Sequence, residues 1–561
     1  MTFGPTWGGL WRAPCSGGQW GTVPGIEVQV DVDERSAAPV GERRQWERPR
    51  AAGRAAYGSM SDADTLLWTI GRDPRLRSPI TAVVRLASMP DMDRLVDRIE
   101  RLTRREPRLR STVVENGHRP GNPRWEEDPE FELARHLTRV AAPSPATFGT
   151  VLDLAARMAM VDFDVQFPLW EAAVVEGVDG DGAAVIIKVH HAVIDGVAGI
   201  GLISTLLDDE PDPPARPVGD AVRDGGGPPT TGRPEPGDGP PGATTGVRAP
   251  AGPPDRIVRA VTGRLAEVFV PLERAATAFG AYPRASLRSA LAMAKGAIRL
   301  VAPAPTPVSP LLGARGLGRQ FGAFDVPFAD LHDAAKSNDC TVNDVFVAAV
   351  LGGLRRYHER HGMRVGRLRI LMPISIRTEG DGGTGNRFVP ARVLLPLEIV
   401  DPRHRIRRVR ELTGTFKRDP ALGLSDLVAR VLSRLPAAAT IATFGSMLLG
   451  VDAVATNVPG PPSATWLAGA EVERFFAFAP TSGAAANIAL TTVGPAACFG
   501  VNMDNASIPD GQVFMSCLEA GVEEVLATAG VGRQPRAAAP VTSAEGDERL
   551  RSGARHRTPA G

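Results

Sequence analysis

Between residues 208 and 254 the sequence is mostly Asp, Pro, Gly and Thr, and this break limits the fold more than any other feature. Such a stretch buries too little apolar surface to offset its own ordering entropy, so it reads as a linker. It divides a chain of 561 residues into two patterned parts, 60–207 and 305–530, each long enough to hold its own core. Residues 255–304 read as a helical connector, with Arg and Lys on one side and Val, Leu and Phe on the other. That pattern fits a helix packed on the core or a basic helix on a membrane surface. Residues 1–59 and 531–561 lack periodicity and read as disordered ends. Ordered patterning begins at Met60, so 1–59 is either an extension or lies ahead of the true start.

The patterned parts contain clear elements. Residues 80–87 alternate as a strand, and Asp91 to Arg104 has helical spacing through Met92, Leu95, Val96, Ile99 and Leu102. Ala183 to His191 is a strand rich in Val and Ile, followed by a helix from Gly196 to Leu207. Thr341 with Asp344 forms a near capping box for a helix to Tyr357, with a buried stripe of Val342, Val345, Phe346, Ala349 and Leu354. Leu368 to Ile376 is a strand. Asn487–Val493 and Ala496–Met503 pair around Gly494-Pro495, and Ser507 caps a last helix.

Composition excludes several classes. The net charge of +1 gives no field for nucleic acid. Cys15, Cys340, Cys498 and Cys517 form no metal-ligand spacing and no disulfide framework. The beginning of the chain has no apolar leader. The longest apolar run, Pro436 to Val451, is broken by Thr440, Thr443 and Ser446. It is short for a membrane span of about 20 residues and reads as a buried or interfacial helix. A cytoplasmic protein with peripheral membrane contact is the expectation. No pattern specifies an oligomeric state.

Chemistry concentrates in His190-His191-Ala192-Val193-Ile194-Asp195-Gly196, where a strand ends and a helix begins. Strand side chains alternate, so His191 shares a face with Val185, Ile187 and Val189, and His190 points with Lys188 and Ile186. The two rings cannot converge on one metal ion. One imidazole in partly apolar surroundings stays neutral near pH 7, as a general base must. Asp195 is expected to hold the loop so that His191 keeps its tautomer, and Gly196 to let the backbone turn or approach closely. A buried His pair ending a core strand is the structural alternative.

His190 to Gly196 resembles the HHxxxDG signature of the CoA-dependent acyltransferase superfamily, which includes chloramphenicol acetyltransferase and peptide-synthetase condensation domains. Further segments resemble one branch, the bacterial wax ester synthase/diacylglycerol acyltransferases. These are Pro123-Arg124-Trp125-Glu126-Glu127-Asp128, Pro168-Leu169-Trp170-Glu171, and Thr341-Val342-Asn343-Asp344-Val345. They continue with Pro373-Ile374-Ser375-Ile376-Arg377, Gly385-Asn386 and Asn457-Val458-Pro459-Gly460-Pro461. They follow the family's order over about 60–530. Thr492-Val493 departs from the family's common Ser-Tyr.

The resemblance implies an α/β fold of two chloramphenicol acetyltransferase-like domains, each a mixed sheet with flanking helices, and an active-site tunnel between them. It implies acyl transfer from acyl-CoA, a substrate, to diacylglycerol or a long-chain alcohol, with no cofactor or metal. His191 would take the hydroxyl proton. Ser375, Thr492 and Asn457 are candidate oxyanion donors. Pro168, Leu169 and Trp170 read as packing and turn residues, Asn343 and Asp344 as helix-cap residues or tunnel lining, and Arg377 as a surface residue or a partner of Asp195. Such lipid alcohols dissolve in membranes, so contact with a membrane or lipid droplet is implied. A condensation-type enzyme acting on another acceptor and an inactive lipid-binding homologue share the fold and remain alternatives.

Overall fold

Two mixed sheets carry the chain. The computed structural model describes residues 21–23, 26–28, 56–116, 121–194, 196–212, 304, 306–375, 388–417 and 425–530. Most of 1–59, the stretch 213–303 and the tail 531–561 lie outside the described residues, as do Asp195 and Arg377. The first sheet runs, in spatial order, Leu207–Asp208, Trp466–Leu467, Ala470–Phe478, Pro79–Leu86, Gly182–His190, Trp170–Val178 and Leu137–Ala141. Its neighbours are antiparallel except the last pair. The second sheet runs Arg319–Pro327, Ala496–Asp504, Ala486–Val493, Ala453–Val458, Arg367–Ser375 and Phe388–Pro396, with parallel pairing on both sides of Ala453–Val458. Ala56–Ser59, Arg124–Glu127 and Ser111–Val114 form a small third sheet.

The halves are not separate in space. Ala470–Phe478 comes from the second part of the sequence, yet it pairs with Pro79–Leu86 in the first sheet. It also lies on the second sheet: Phe478 stacks on Phe321 with ring centres 4.2 Å apart. At Gly500 a β-carbon would lie 2.2 Å from the Ala477 carbonyl oxygen, so only glycine lets the strands pass this closely.

Each half has a core on the pattern its sequence sets. In the helix Met92–Arg105, capped by Asp91, Leu95, Ile99 and Leu102 are buried. Val96 lies off that stripe and is 40% exposed. Val342–Arg360 is more than amphipathic, since it buries residues around its whole girth. Helices Phe328–Ser337, Pro402–Lys417 and Gly511–Leu526 pack on it. Gly353 and Gly521 meet where two of these helices cross, and a β-carbon at 521 would lie 2.3 Å from the Gly353 nitrogen. Gly521→Ala is therefore expected to destabilise the fold by about 1–3 kcal/mol through overpacking, read as a lower midpoint in urea at unchanged slope.

The last helix starts later than its sequence suggests. Asp510, not Ser507, is the N-cap of Gly511–Leu526, and its side chain makes no capping bond. The Ser507 hydroxyl donates to the Ala314 carbonyl and accepts from Arg315 Nη1 at 3.0 Å, so it is committed elsewhere. The apolar run near residue 440 forms the helix Ala437–Leu448. It packs with Asp62–Ile70 of the first half around Leu66, Leu67, Ile70 and Leu448. No helix among the described residues is long and apolar enough to cross a membrane.

Candidate active site

The His-His motif stands at the end of the strand Gly182–His190. The His191 N–H donates to the Ser78 carbonyl at 3.2 Å, and the His190 N–H donates to the Leu169 carbonyl at 3.0 Å. Beyond them His190 Nδ1 accepts from the Ala192 N–H at 3.0 Å, which folds the chain into a tight turn. His190 therefore shapes the turn. Its ring packs edge-on against Trp68 and Phe163, on the face of the sheet shared with Lys188. His191 faces the other way.

His191 lines a cavity of about 240 Å³. Val185, Ile187 and Val189, the residues sharing its face of the strand, line the same cavity. One arm runs inside the first half, between the sheet and the helices Met92–Arg105 and Gly196–Ser204. The other runs against the second sheet, along Leu371, Pro373, Val454 and Ala489. Among the described residues no charged one lines either arm. Polar side chains gather in the second arm: Thr456, Asn457, Ser482, Asn487 and Thr491. The sequence reading picked out only Asn457 of these. The missed signal is in Ala486–Val493, where Asn487 and Thr491 share one face of a buried, mostly apolar strand.

The other sequence-selected residues divide into two groups. Asn457 and Gly196 reach the cavity with His191, and so does Trp170. A β-carbon at Gly196 would meet only Val458 Cγ2, at 3.7 Å, so this contact does not itself demand glycine. Pro168, Leu169 and Trp170 act as a brace. Trp170 Nε1 donates to the Leu109 carbonyl at 2.8 Å, and its ring stacks on His136. The Leu169 carbonyl holds His190. Asp344 closes the capping box with Thr341 and accepts from the Thr413 hydroxyl at 3.1 Å, away from the cavity. Asn343 Oδ1 lies 3.5 Å from Asn457 Nδ2, behind the wall. The Thr492 hydroxyl accepts from the Gly460 N–H at 3.0 Å and holds the Asn457–Pro461 turn, while its neighbour Thr491 faces the cavity. Ser375 ends the strand Arg367–Ser375, with its side chain outside the described residues.

Two supports were not evident from sequence. Arg108 Nη1 donates to the Val193 carbonyl at 3.3 Å and lies 3.3 Å from the wholly buried Asp64 carboxylate, tying the motif turn to the helix Asp62–Ile70. Behind the sheet Lys188 is fully buried. Its ammonium donates to the Val161 carbonyl at 2.9 Å and sits 4.1 Å from the centre of the Phe163 ring. Burial pulls its pKa down, with nearby Glu171 opposing.

Three imidazoles are held neutral by their surroundings. Burial lowers the pKa of His136, His190 and His358, that of His190 to about 3 with help from the charges of His191 and Lys188. His358 Nδ1 donates to the Leu354 carbonyl at 2.7 Å, so Nε2 accepts from the Ser309 hydroxyl at 2.7 Å. An unfolded chain takes up these protons near pH 6.5. The folded chain does not, so the unfolded state binds more protons below that pH and stability falls with it. The melting midpoint is expected to drop steadily from pH 7 to pH 5. His190→Asn, whose side-chain oxygen can still accept the Ala192 N–H, should show a shallower drop. Identical slopes in both proteins would contradict this assignment.

Among the described residues no cluster of His, Cys, Asp or Glu could hold a metal ion. Two family models match the chain. The wax ester synthase/diacylglycerol acyltransferase catalytic domain matches residues 60–346, and the C-terminal domain of the same family matches 384–525. A Mycobacterium tuberculosis protein named as a diacylglycerol O-acyltransferase is 35% identical over 479 residues, covering 85% of this chain and 93% of its own. A second such protein from that species is 27% identical over 443 residues, covering 77% and 86%. A solved wax ester synthase/diacylglycerol acyltransferase from Marinobacter aquaeolei VT8 superposes with a TM-score of 0.54 at 18% identity, covering 84% of this chain and 100% of that one. The first condensation domain of the calcium-dependent antibiotic synthetase superposes with a TM-score of 0.53 at 18% identity, covering 86% and 97%. At this identity both likenesses show the fold.

Proposed function

This chain belongs to the wax ester synthase/diacylglycerol acyltransferase family and is an acyltransferase, and from that premise we propose that it moves a fatty acyl group from acyl-CoA to a lipid hydroxyl with His191 as general base. One observation carries the reading: His191 lines an apolar cavity where an arm walled by hydrophobic residues, Thr103 excepted, meets one bearing several uncharged polar groups. That arrangement suits an acyl chain on one side and a hydroxyl with a thioester carbonyl on the other.

The steps follow from the residues present. A neutral His191 takes the hydroxyl proton, and the oxygen attacks the thioester carbonyl as the C–S bond breaks. The CoA thiolate leaves and regains the proton from His191. Holding both substrates in the cavity supplies the proximity part of the rate. Asn457 is the candidate donor for the oxyanion, because it lines the cavity, which Thr492 does not, and its amide keeps a second hydrogen beyond the one aimed at Asn343 Oδ1. The reading needs no bound cofactor; acyl-CoA is consumed as substrate. The acceptors are diacylglycerol, giving triacylglycerol, or a long-chain alcohol, giving a wax ester. Because both dissolve in membranes, the enzyme works at a membrane or lipid-droplet surface.

The test is a product screen by thin-layer chromatography with labelled palmitoyl-CoA and either dipalmitoylglycerol or hexadecanol. Labelled triacylglycerol or wax ester is the expected product. Absence of both, with ester or amide formed only from a carrier-bound acyl donor, would replace this reading with a condensation-type enzyme.

A further inference from the structure

We propose that the arm of the cavity inside the first half is a ruler for the acyl chain, closed at its far end by Leu95, Leu207 and Leu467 and set in width by a rung of alanines. The proposal rests on the reading of His191 as the base that serves a long-chain thioester.

The floor of the arm is one face of the first sheet. Directly paired residues of antiparallel strands share a face, so the floor is a series of rungs. The rung beside His191 is Ile80, Val189 and Trp170. Next come Ala82, Ile187 and Ala172, with Ala477 paired to Ala82 on the other side. Then come Val84 and Val185, with Phe475 paired to Val84. All of these residues line the cavity; Val174, paired to Val185 on the third rung, does not. The middle rung holds three alanines, which gives the arm its depth there.

Two helices roof it in the same sense. Leu102 lies toward His191, because the nearby Leu109 carbonyl accepts from the Trp170 indole. Leu95 lies at the other end, where the Asp91 N–H donates to the Ala468 carbonyl at 3.0 Å. The second helix starts at Gly196, against Val458, and the chain after it reaches Leu207, which pairs with Leu467. Both roofs therefore end at the same leucines. An unfilled apolar void costs stability in proportion to its volume, so a core that keeps one does so for an occupant. The described residues of this arm are almost all apolar, which suits a hydrocarbon occupant.

The length follows from strand geometry. Six residues separate His191 from Val185, about 20 Å at a rise of about 3.3 Å each. Along the roof, the helix Gly196–Ser204 covers roughly 12 Å at helical rise, and the turn to Leu207 extends it. An extended alkyl chain advances about 1.25 Å per carbon, given C–C bonds near 1.5 Å. The arm thus takes about 13–16 carbons beyond the thioester. A bulky side chain on the alanine rung would leave about 13 Å, or roughly 10 carbons.

The experiment measures kcat/KM of the full chain for saturated acyl-CoAs from C8 to C20 with hexadecanol, and the thermal shift produced by octanoyl-CoA and palmitoyl-CoA. The wild type should peak at C14–C16 and fall at least tenfold at C20. In Ala477→Phe the ratio of C16 to C8 activity should drop at least tenfold. Leu467→Ala should move the profile the opposite way, raising C20 relative to C16 at least fivefold, so the proposal survives if the first variant does not fold. Equal changes at every chain length in both variants would overturn the ruler. So would a shift seen in a series of alcohols but not of acyl-CoAs. If no acyl-CoA is turned over at all, the reaction assigned above fails. The ruler then stands only if palmitoyl-CoA stabilises the wild type more than octanoyl-CoA and Leu467→Ala or Ala477→Phe alters that preference; otherwise it falls too.

Discussion

With His191 replaced by alanine, turnover of palmitoyl-CoA is expected to fall by about 10²–10⁴-fold, the usual share of a positioned general base. The loss should be chemical. The backbone bond from residue 191 to the Ser78 carbonyl does not involve the ring, and the rest of the turn is held by His190, Leu169 and Arg108. The melting midpoint should therefore stay close to that of the wild type, and the KM for acyl-CoA should change little, since the acyl arm is intact. Free imidazole added to the alanine variant should restore part of the rate. The measurement is single-turnover ester formation from labelled palmitoyl-CoA at pH 7.5, with and without imidazole. Ester formation at the wild-type rate in the variant would remove His191 from the mechanism.

The second large effect is expected at Asn457. Deleting one donor to a developing oxyanion lowers kcat by about 10²–10³-fold, and Asn457→Ala should do so while the KM for acyl-CoA stays within a few-fold. The position is favourable because the Asn457 side chain reaches the cavity from the end of the strand Ala453–Val458. The strand sits in the middle of the second sheet and is paired on both sides. Thr492→Val is the control. It removes the bond to the Gly460 N–H and loosens the turn without touching the cavity. A loss confined to roughly tenfold there, beside the larger loss at Asn457, separates a donor to the reacting carbonyl from a brace. Were both variants to raise KM with kcat unchanged, Asn457 would be a binding residue, and the oxyanion donor would lie elsewhere.

Much of this arrangement could be read before any coordinates. Val185, Ile187 and Val189 share a face with His191 because strand side chains alternate, and that periodicity places the base on the cavity side of its sheet. The capping box at Thr341 and Asp344 was equally local, since both its bonds join residues three apart. What stayed hidden was non-local. Ala470–Phe478 has strand character in its own sequence, but nothing within nine residues says that it joins a sheet begun almost four hundred residues earlier. Ser507 has the chemistry of an N-cap, yet its hydroxyl is claimed by Ala314, a residue distant in sequence. The first arm of the cavity was illegible for a related reason. Leu95, Ile99 and Leu102 face inward as any buried stripe does, and a stripe that roofs a void has the same letters as one that packs against a neighbour.

The borrowed strand also sets a timetable for synthesis. Pro79–Leu86 and Gly182–His190 have both been synthesised once residue 190 is made, but the partner on the far side of Pro79–Leu86 is complete only at residue 478. At about 5–20 residues per second, the remaining 288 residues take roughly 15–60 seconds. Throughout that interval a Val-rich strand presents an unpaired backbone edge, the template on which chains join one another. The newborn first half thus has a built-in waiting period before its open edge is paired.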